Sequence, residues 1–206
     1  MEQPDVYVWT RKLQNFEPIL ERWIQLVGKA TEAWYRDEEP DCPWWYGERS
    51  SVGLLAAAAW MEEGEALEAY PEEKGEGNEA YPGRTDLYIS HRSDEYVFEA
   101  KQLWLDLSKP NEQLIKATES KLESALKDVR KNTEPVEHKF GIVFVKPSFK
   151  DIDPPTVVHA LEAWRDSLQT LDIDFYAWNF PALGWKMKHQ GKTYPGEVLI
   201  GKLATS

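Results

Sequence analysis

Two short stretches hold residues that could do chemistry together: Gly83-Arg84-Thr85-Asp86 and Glu99-Ala100-Lys101. Alternate side chains of an extended strand share a face, so Glu99 and Lys101 point the same way with Ala100 between them. Residues 87–98, twelve in all, separate Asp86 from Glu99, and His91-Arg92-Ser93-Asp94 near their midpoint reads as a turn. A hairpin of that length sets Asp86 level with Glu99 on the neighbouring strand. Two carboxylates and an ammonium then converge, a set suited to hydrolysing a phosphodiester with the help of a hard cation. Mg²⁺ prefers oxygen ligands and takes one or two carboxylates, leaving its other positions to water and phosphate; Mn²⁺ can substitute. Asp86 and Glu99 are the candidate metal ligands, with the backbone carbonyl oxygen of Ala100 as a third. The ion would lower the pKa of a bound water and stabilise charge on the phosphate. Lys101 would orient that water and offset the developing charge. Arg84, beside the site, is a candidate phosphate contact. An isolated Glu-x-Lys is most often a solvated strand face. Its combination with Gly-Arg-x-Asp at this spacing, on an apolar strand, carries the reading.

These residues need a frame. Apolar positions at Phe16, Ile19, Leu20, Trp23, Ile24, Val27, Ala30 and Trp34 predict an amphipathic helix from 12 to about 35. A second helix is expected from about Gly47 to Glu63, with Gly64 as its C-cap. Ala66–Tyr70 reads as a first strand, followed by a Glu/Gly-rich excursion over 71–78 expected to be a solvated, mobile hairpin tip. Strands at 85–90 and 95–104 follow, then a long helix over 111–131 with one apolar stripe. The apolar run Phe140–Val145 marks a strand buried on both faces. A helix over 154–171, a strand over 174–180, and a closing hairpin built from 185–188 and 197–200 complete the chain. The expectation is an α/β fold, one domain over 1–206, with a mixed sheet of about five strands flanked by helices.

Gly-Arg-Thr-Asp, a hairpin, then Glu-Ala-Lys resembles the PD-(D/E)XK nuclease superfamily, which includes many restriction endonucleases and archaeal Holliday-junction resolvases. The resemblance covers residues 47–145, about half the chain, where the expected order (helix, three antiparallel strands, helix, parallel strand) is that of the family's restriction-endonuclease-like core. Thr85 stands where the family usually has proline. The resemblance implies a metal-dependent nuclease, acting on DNA in preference, with Mg²⁺ as cofactor. It further implies an acidic residue at the start of the first core helix that joins the metal site. Glu48 is the candidate, with Glu62 and Glu63 at the far end as fallback. The N-terminal helix and C-terminal strands would complete the core or make a homodimer contact. A catalytically silent protein on the same core, binding a protein or nucleic-acid partner, is the alternative, and an accidental match the third reading.

Composition limits the partners. The chain has 206 residues, a formal net charge of −12 and one cysteine, Cys42, which excludes an intrachain disulfide and a multi-cysteine zinc site. Cys42, beside Pro43-Trp44, is expected to be buried and inert. The N-terminal residues lack the pattern of a secretory signal, and no apolar run approaches the ~20 residues that span a bilayer. A cytoplasmic protein without a membrane partner is expected. The charge is uneven: residues 62–79 hold eight Glu against Lys74, and residues 182–206 hold four Lys against Glu197. An acidic chain can thus still present a local basic face. Of the ten Trp, those at helical spacing (Trp23, Trp34, Trp164) are expected in the core, and others could serve as base-stacking platforms.

Overall fold

The computed structural model describes residues 4–36, 39–75 and 80–205. After a 3₁₀ turn at Arg11–Leu13, helix α1 spans Glu17–Trp34 and buries Ile19, Leu20, Trp23 and Val27 along one face. Its last residue, Trp34, lies at the frayed outer end and is 40% exposed, against the expectation of a core position. Helix α2 spans Glu48–Met61. Its stop differs from the expected glycine cap: Glu63 takes the left-handed conformation (φ 62), and the Gly64 N–H donates to the Ala59 carbonyl at 2.9 Å. That is a Schellman ending with glutamate in the position glycine usually holds. Gly64 is small for another reason, since a Cβ there would lie 2.9 Å from the Ser90 carbonyl oxygen.

Among the described residues nine strands follow the chain order: β1 Asp5–Val8, β2 Glu65–Lys74, β3 Tyr81–His91, β4 Asp94–Asp106, β5 His138–Ser148, β6 Phe175–Asn179, β7 Lys188–His189, β8 Lys192–Thr193 and β9 Glu197–Leu203. Helices α3 (Asn111–Val129) and α4 (Pro154–Leu168) flank β5 in sequence. Seven strands form one mixed sheet in the order β1-β6-β9-β5-β4-β3-β2, two more than expected. β3 pairs antiparallel with β2 on one side and with β4 on the other, and β4 and β5 run parallel, joined across α3.

Three readings of the sequence need correction. β2 does not end at Tyr70 but continues to Lys74, so residues 71–74 pair with β3; positions 76–79 lie outside the described residues. The driving force is polar: Glu72 and Lys74 turn back onto buried partners, described below. Residues 197–203 do not close a hairpin with 185–188. They enter the middle of the sheet between β5 and β6, carried by the buried run Val198–Ile200, while β7 and β8 form a separate small hairpin. β1, missed in the sequence because it is short and half-exposed, pairs with the β6 edge.

The sheet is covered on both faces. α1 and α2 pack with Phe98, Ala100, Phe140, Ile142, Phe144 and Leu199 on one side. α3 and α4 pack with Val143, Val145, Tyr176, Val198 and Ile200 on the other. The alternation along β5 and β9 assigns successive residues to opposite cores, which is why both strands read as continuous apolar runs. Among the described residues no helix is long and apolar enough to cross a membrane.

Candidate functional site

β3 and β4 turn about Arg92-Ser93 and pair from His91 opposite Asp94 to Leu87 opposite Phe98. There the ladder stops. Beyond it Asp86 Oδ2 accepts from the Ala100 N–H at 2.8 Å in place of a strand-to-strand bond, which brings the carboxylate against the strand that carries Glu99. β2 is also irregular here: Ala69, between the pairs Glu68–Leu87 and Tyr70–Thr85, takes a left-handed φ of 48. Arg84, the candidate phosphate contact, donates its guanidinium to the Ala69 carbonyl and so ties down this kink.

Glu99 is buried, 3% exposed, and accepts a bond from Lys74 Nζ at 2.5 Å. Burial outweighs that ammonium, and with the charge of Asp86 it pushes the Glu99 carboxyl up to about 7. The stem of Lys74 runs against Gly83, where a Cβ would lie 2.8 Å from Lys74 Cδ. The glycine of the Gly-Arg-Thr-Asp stretch therefore makes room for the lysine that reaches Glu99.

Lys101 shares the face of Glu99, as alternation requires. Its Nζ contacts Asp128 Oδ2 at 2.9 Å, and Lys131 takes the other oxygen at 3.2 Å. Burial works against the charge on Lys101, yet the bond and charge of Asp128, helped by Asp86 and Glu48, raise its pKa. Glu48 opens α2 after Gly47, which turns the chain at φ 95. Its carboxyl is raised by burial and by Asp86, and is held back by Lys101, the Gln102 N–H and Lys146. The charges of Asp86 and Lys101 thus act on both Glu99 and Glu48. Glu62, at the far end of α2, is bonded to Arg22 at 2.6 Å and takes no part; Glu63 closes that same end of the helix. Ala100 is fully buried and tied to Asp86 through its N–H.

Among the described residues, no three His, Cys, Asp or Glu side chains are gathered as a group that could hold a metal ion. Asp86, bonded to the Ala100 N–H, and Glu99, the residue before Ala100, are the carboxylates the site has to offer a hard cation. Two carboxylates suffice for Mg²⁺ when water and phosphate complete its shell.

A second polar cluster lies under the start of α2. Lys146 and Glu197 are fully buried, with Nζ 3.8 Å from Glu197 Oε1. Ser51 donates to the same oxygen at 2.5 Å, and Lys146 also donates to the Gly47 carbonyl at 3.2 Å. Burial raises the Glu197 pKa and lowers that of Lys146. Cys42 is enclosed nearby, its thiol pushed up by burial.

Lys74, Asp128, Lys146 and Glu197 were not found from the sequence as members of these clusters. Lys74 had one signal: it is the sole cation in a run of eight glutamates. Lys146 had another, as a charge ending the apolar run of a central strand. The chain matches no protein-family model, no curated protein and no solved structure.

Proposed function

We propose that the chain is a metal-dependent phosphodiesterase, a nuclease acting on DNA in preference, with a restriction-endonuclease-like core formed by α2, β2–β4, α3 and β5. What supports this reading is the Asp86 carboxylate bonded to the Ala100 N–H, between Glu99 and Lys101 in sequence, where the β3–β4 ladder ends, with the charge of Glu48 at the start of α2 coupled to Asp86 and Lys101. The succession of helix, three antiparallel strands, helix and parallel strand supports it.

In this reading Asp86 and Glu99 hold Mg²⁺ or Mn²⁺, with the Ala100 carbonyl as a further oxygen. An ion held there would supply charge to set against the phosphate and would lower the pKa of a neighbouring water. Lys101, held by Asp128, orients the attacking water and offsets charge on the phosphate oxygens. Glu48, its pKa raised by burial and by Asp86, is suited to accept a proton from that water. Arg84 would reach phosphate only by leaving the Ala69 carbonyl.

One observation favours a second reading, a silent protein on the same core. Lys74 sets an ammonium on Glu99, so the carboxylate already has a cation. The two readings separate on incubation with plasmid, single-stranded and branched DNA in Mg²⁺ or Mn²⁺. The nuclease reading expects cleavage that falls roughly hundredfold or more in Asp86→Asn and Lys101→Ala. Intact DNA in every arm, from protein that melts cooperatively, would leave the silent reading standing.

A further inference from the structure

We infer that the aromatic and basic shelf beside Glu48 binds unpaired nucleotides, so that the substrate of the proposed nuclease is single-stranded or splayed nucleic acid. The inference rests on that proposed activity, and it begins from Trp104. This residue lies on β4 three positions beyond Lys101, on the opposite face, and is 47% exposed. Trp104 is not an isolated exposed ring but the open end of a run of aromatics. Trp104 is also held in place. The Tyr194 ring meets it edge-on with centroids 5.4 Å apart, and Lys146 Nζ sits 5.3 Å from its ring centre. Tyr194 in turn meets Trp45 at 6.4 Å, and Trp45 meets His189 at 5.2 Å. A rigid run of rings extends from the turn before Glu48 to the β7–β8 hairpin.

That hairpin supplies the charge. It carries Lys188, His189 and Lys192, and it is fastened to the end of β5 by paired bonds between Phe149 and Thr193. Lys192 reaches Asp106 at 3.3 Å, which fixes it beside β4. Residues 182–206 contain one acidic residue, Glu197, and it is fully buried against Lys146. The surface of this segment is therefore basic on a chain of net charge −12. The shelf adjoins the start of α2, because Lys146, which sits against the Trp104 ring, also donates to the carbonyl of Gly47, the residue before Glu48.

Open rings next to lysines suit a chain that is anionic along its backbone and presents flat bases at its edge. Base stacking on aromatics tolerates any sequence, and lysines that follow phosphates make binding salt-dependent. A fully paired duplex hides its base faces and can use only the charge. The exposed Glu65, Glu68 and Glu73 are on β2, the edge strand beyond β3, whereas the shelf is built on β4 and the β7–β8 hairpin.

The test uses the full chain and fluorescein-labelled 20-mers of single-stranded DNA, single-stranded RNA and duplex DNA, followed by anisotropy in EDTA, where no metal-dependent cleavage occurs. We expect single strands to bind about tenfold or more tighter than duplex. Trp104→Ala should weaken single-strand binding about tenfold while leaving duplex binding unchanged, and Trp104→Phe should restore most of it. Lys188→Ala should weaken all ligands and lower the salt slope. Because Trp104→Ala also disturbs Lys146, crosslinking of bromodeoxyuridine-substituted single strands to the unmodified protein gives an independent readout, expected at Trp104, Tyr194 or Trp45. Equal affinity for single strand, duplex and poly-glutamate of matching charge would overturn the inference, as would crosslinks confined elsewhere. A Mn²⁺ arm keeps the two proposals apart. Single-strand binding without cleavage retains the shelf and removes the nuclease, whereas cleavage indifferent to Trp104 does the reverse.

Discussion

Lys74–Glu99 and Lys146–Glu197 are pairs of the same residue types buried in the same sheet, and they are built in different ways. In the first the ammonium touches the carboxylate directly, at 2.5 Å, and Glu99 has Asp86 and Lys101 as half-exposed neighbours. In the second the charges stand 3.8 Å apart with neither group exposed, and Lys146 is divided between Glu197, the Gly47 carbonyl and the Trp104 ring. Glu197 Oε2 finds no hydrogen-bond partner among the described residues. The contrast separates two uses of buried charge. Lys146–Glu197 is sealed, and it braces the Gly47-Glu48 turn from beneath. Lys74–Glu99 is itself buried but borders the half-exposed Asp86 and Lys101, and in the proposed reading its ammonium would give way to a metal ion.

The largest test of that contrast falls on the sealed pair. Lys146→Met should cost about 3–5 kcal/mol in urea unfolding, because Glu197 is left buried without its cation. Lys146→Met with Glu197→Leu should recover most of the loss, since no charge then remains inside. A double variant as unstable as the single would show that Lys146 acts through Gly47 and Trp104 rather than through Glu197.

The reachable pair should show itself in pH. Glu99 titrates near 4.5 in the unfolded chain and at about 7 in the folded one. Between these values the folded state holds a proton that the unfolded state has lost. Its contribution to stability is complete below about pH 4.5 and disappears as pH rises through 7, a change on the order of 3 kcal/mol. Thermal melts in EDTA at pH 5 and pH 8 should differ accordingly for wild type, and the difference should shrink in Glu99→Gln. Parallel pH profiles would place the titration on another group.

How much of this was legible in the sequence depends on the range of the interaction. Asp86, Glu99 and Lys101 could be placed together because strand alternation and one short turn fix their relation within 16 residues. Glu48 was reached only through a family resemblance, and in the fold it opens α2, where its charge is coupled to Asp86 and Lys101. Lys74 was hidden because a Glu/Gly-rich stretch looks like a solvated tip. What extends β2 is Glu72, bonded to Thr85 and Asn132, and Lys74, bonded to Glu99, none of which is local in sequence. β9 was misplaced for a related reason. Its apolar run fits a hairpin as well as a central strand, and only the non-local pairing with β5 and β6 decides.

Metal offers the next sharpening. If Lys74 occupies the charge position that a cation would take, Mn²⁺ at a hundredfold excess over its dissociation constant should stabilise wild type by ~2.7 kcal/mol. Lys74→Met should bind Mn²⁺ more tightly, with a lower midpoint in a thermal-shift titration, because no ammonium competes for Glu99. The double variant Asp86→Asn, Glu99→Gln should ignore Mn²⁺. Equal shifts in all three proteins would locate the ion away from this cluster.

The smallest expected effect lies in the strand irregularity that the reachable site has and the sealed one lacks. Ala69 sits at φ 48, a left-handed conformation that costs a residue with a Cβ about 1–2 kcal/mol. Glycine would remove that cost but would add freedom to the unfolded chain, worth ~0.4–1 kcal/mol in the other direction. Ala69→Gly should therefore leave a net gain of ~0.5 kcal/mol, a rise in melting temperature of about 1–2 °C for a chain this long. The Arg84 guanidinium bonds the Ala69 backbone carbonyl, not its side chain, so that tie survives the substitution. The Mn²⁺ response should then equal that of wild type, because Asp86 keeps its bond from Ala100. A loss of stability would mean that the Ala69 methyl packs usefully in its strained position. A changed Mn²⁺ response at unchanged stability would show that the kink positions Asp86, and the irregularity would then belong to the site rather than to the strand.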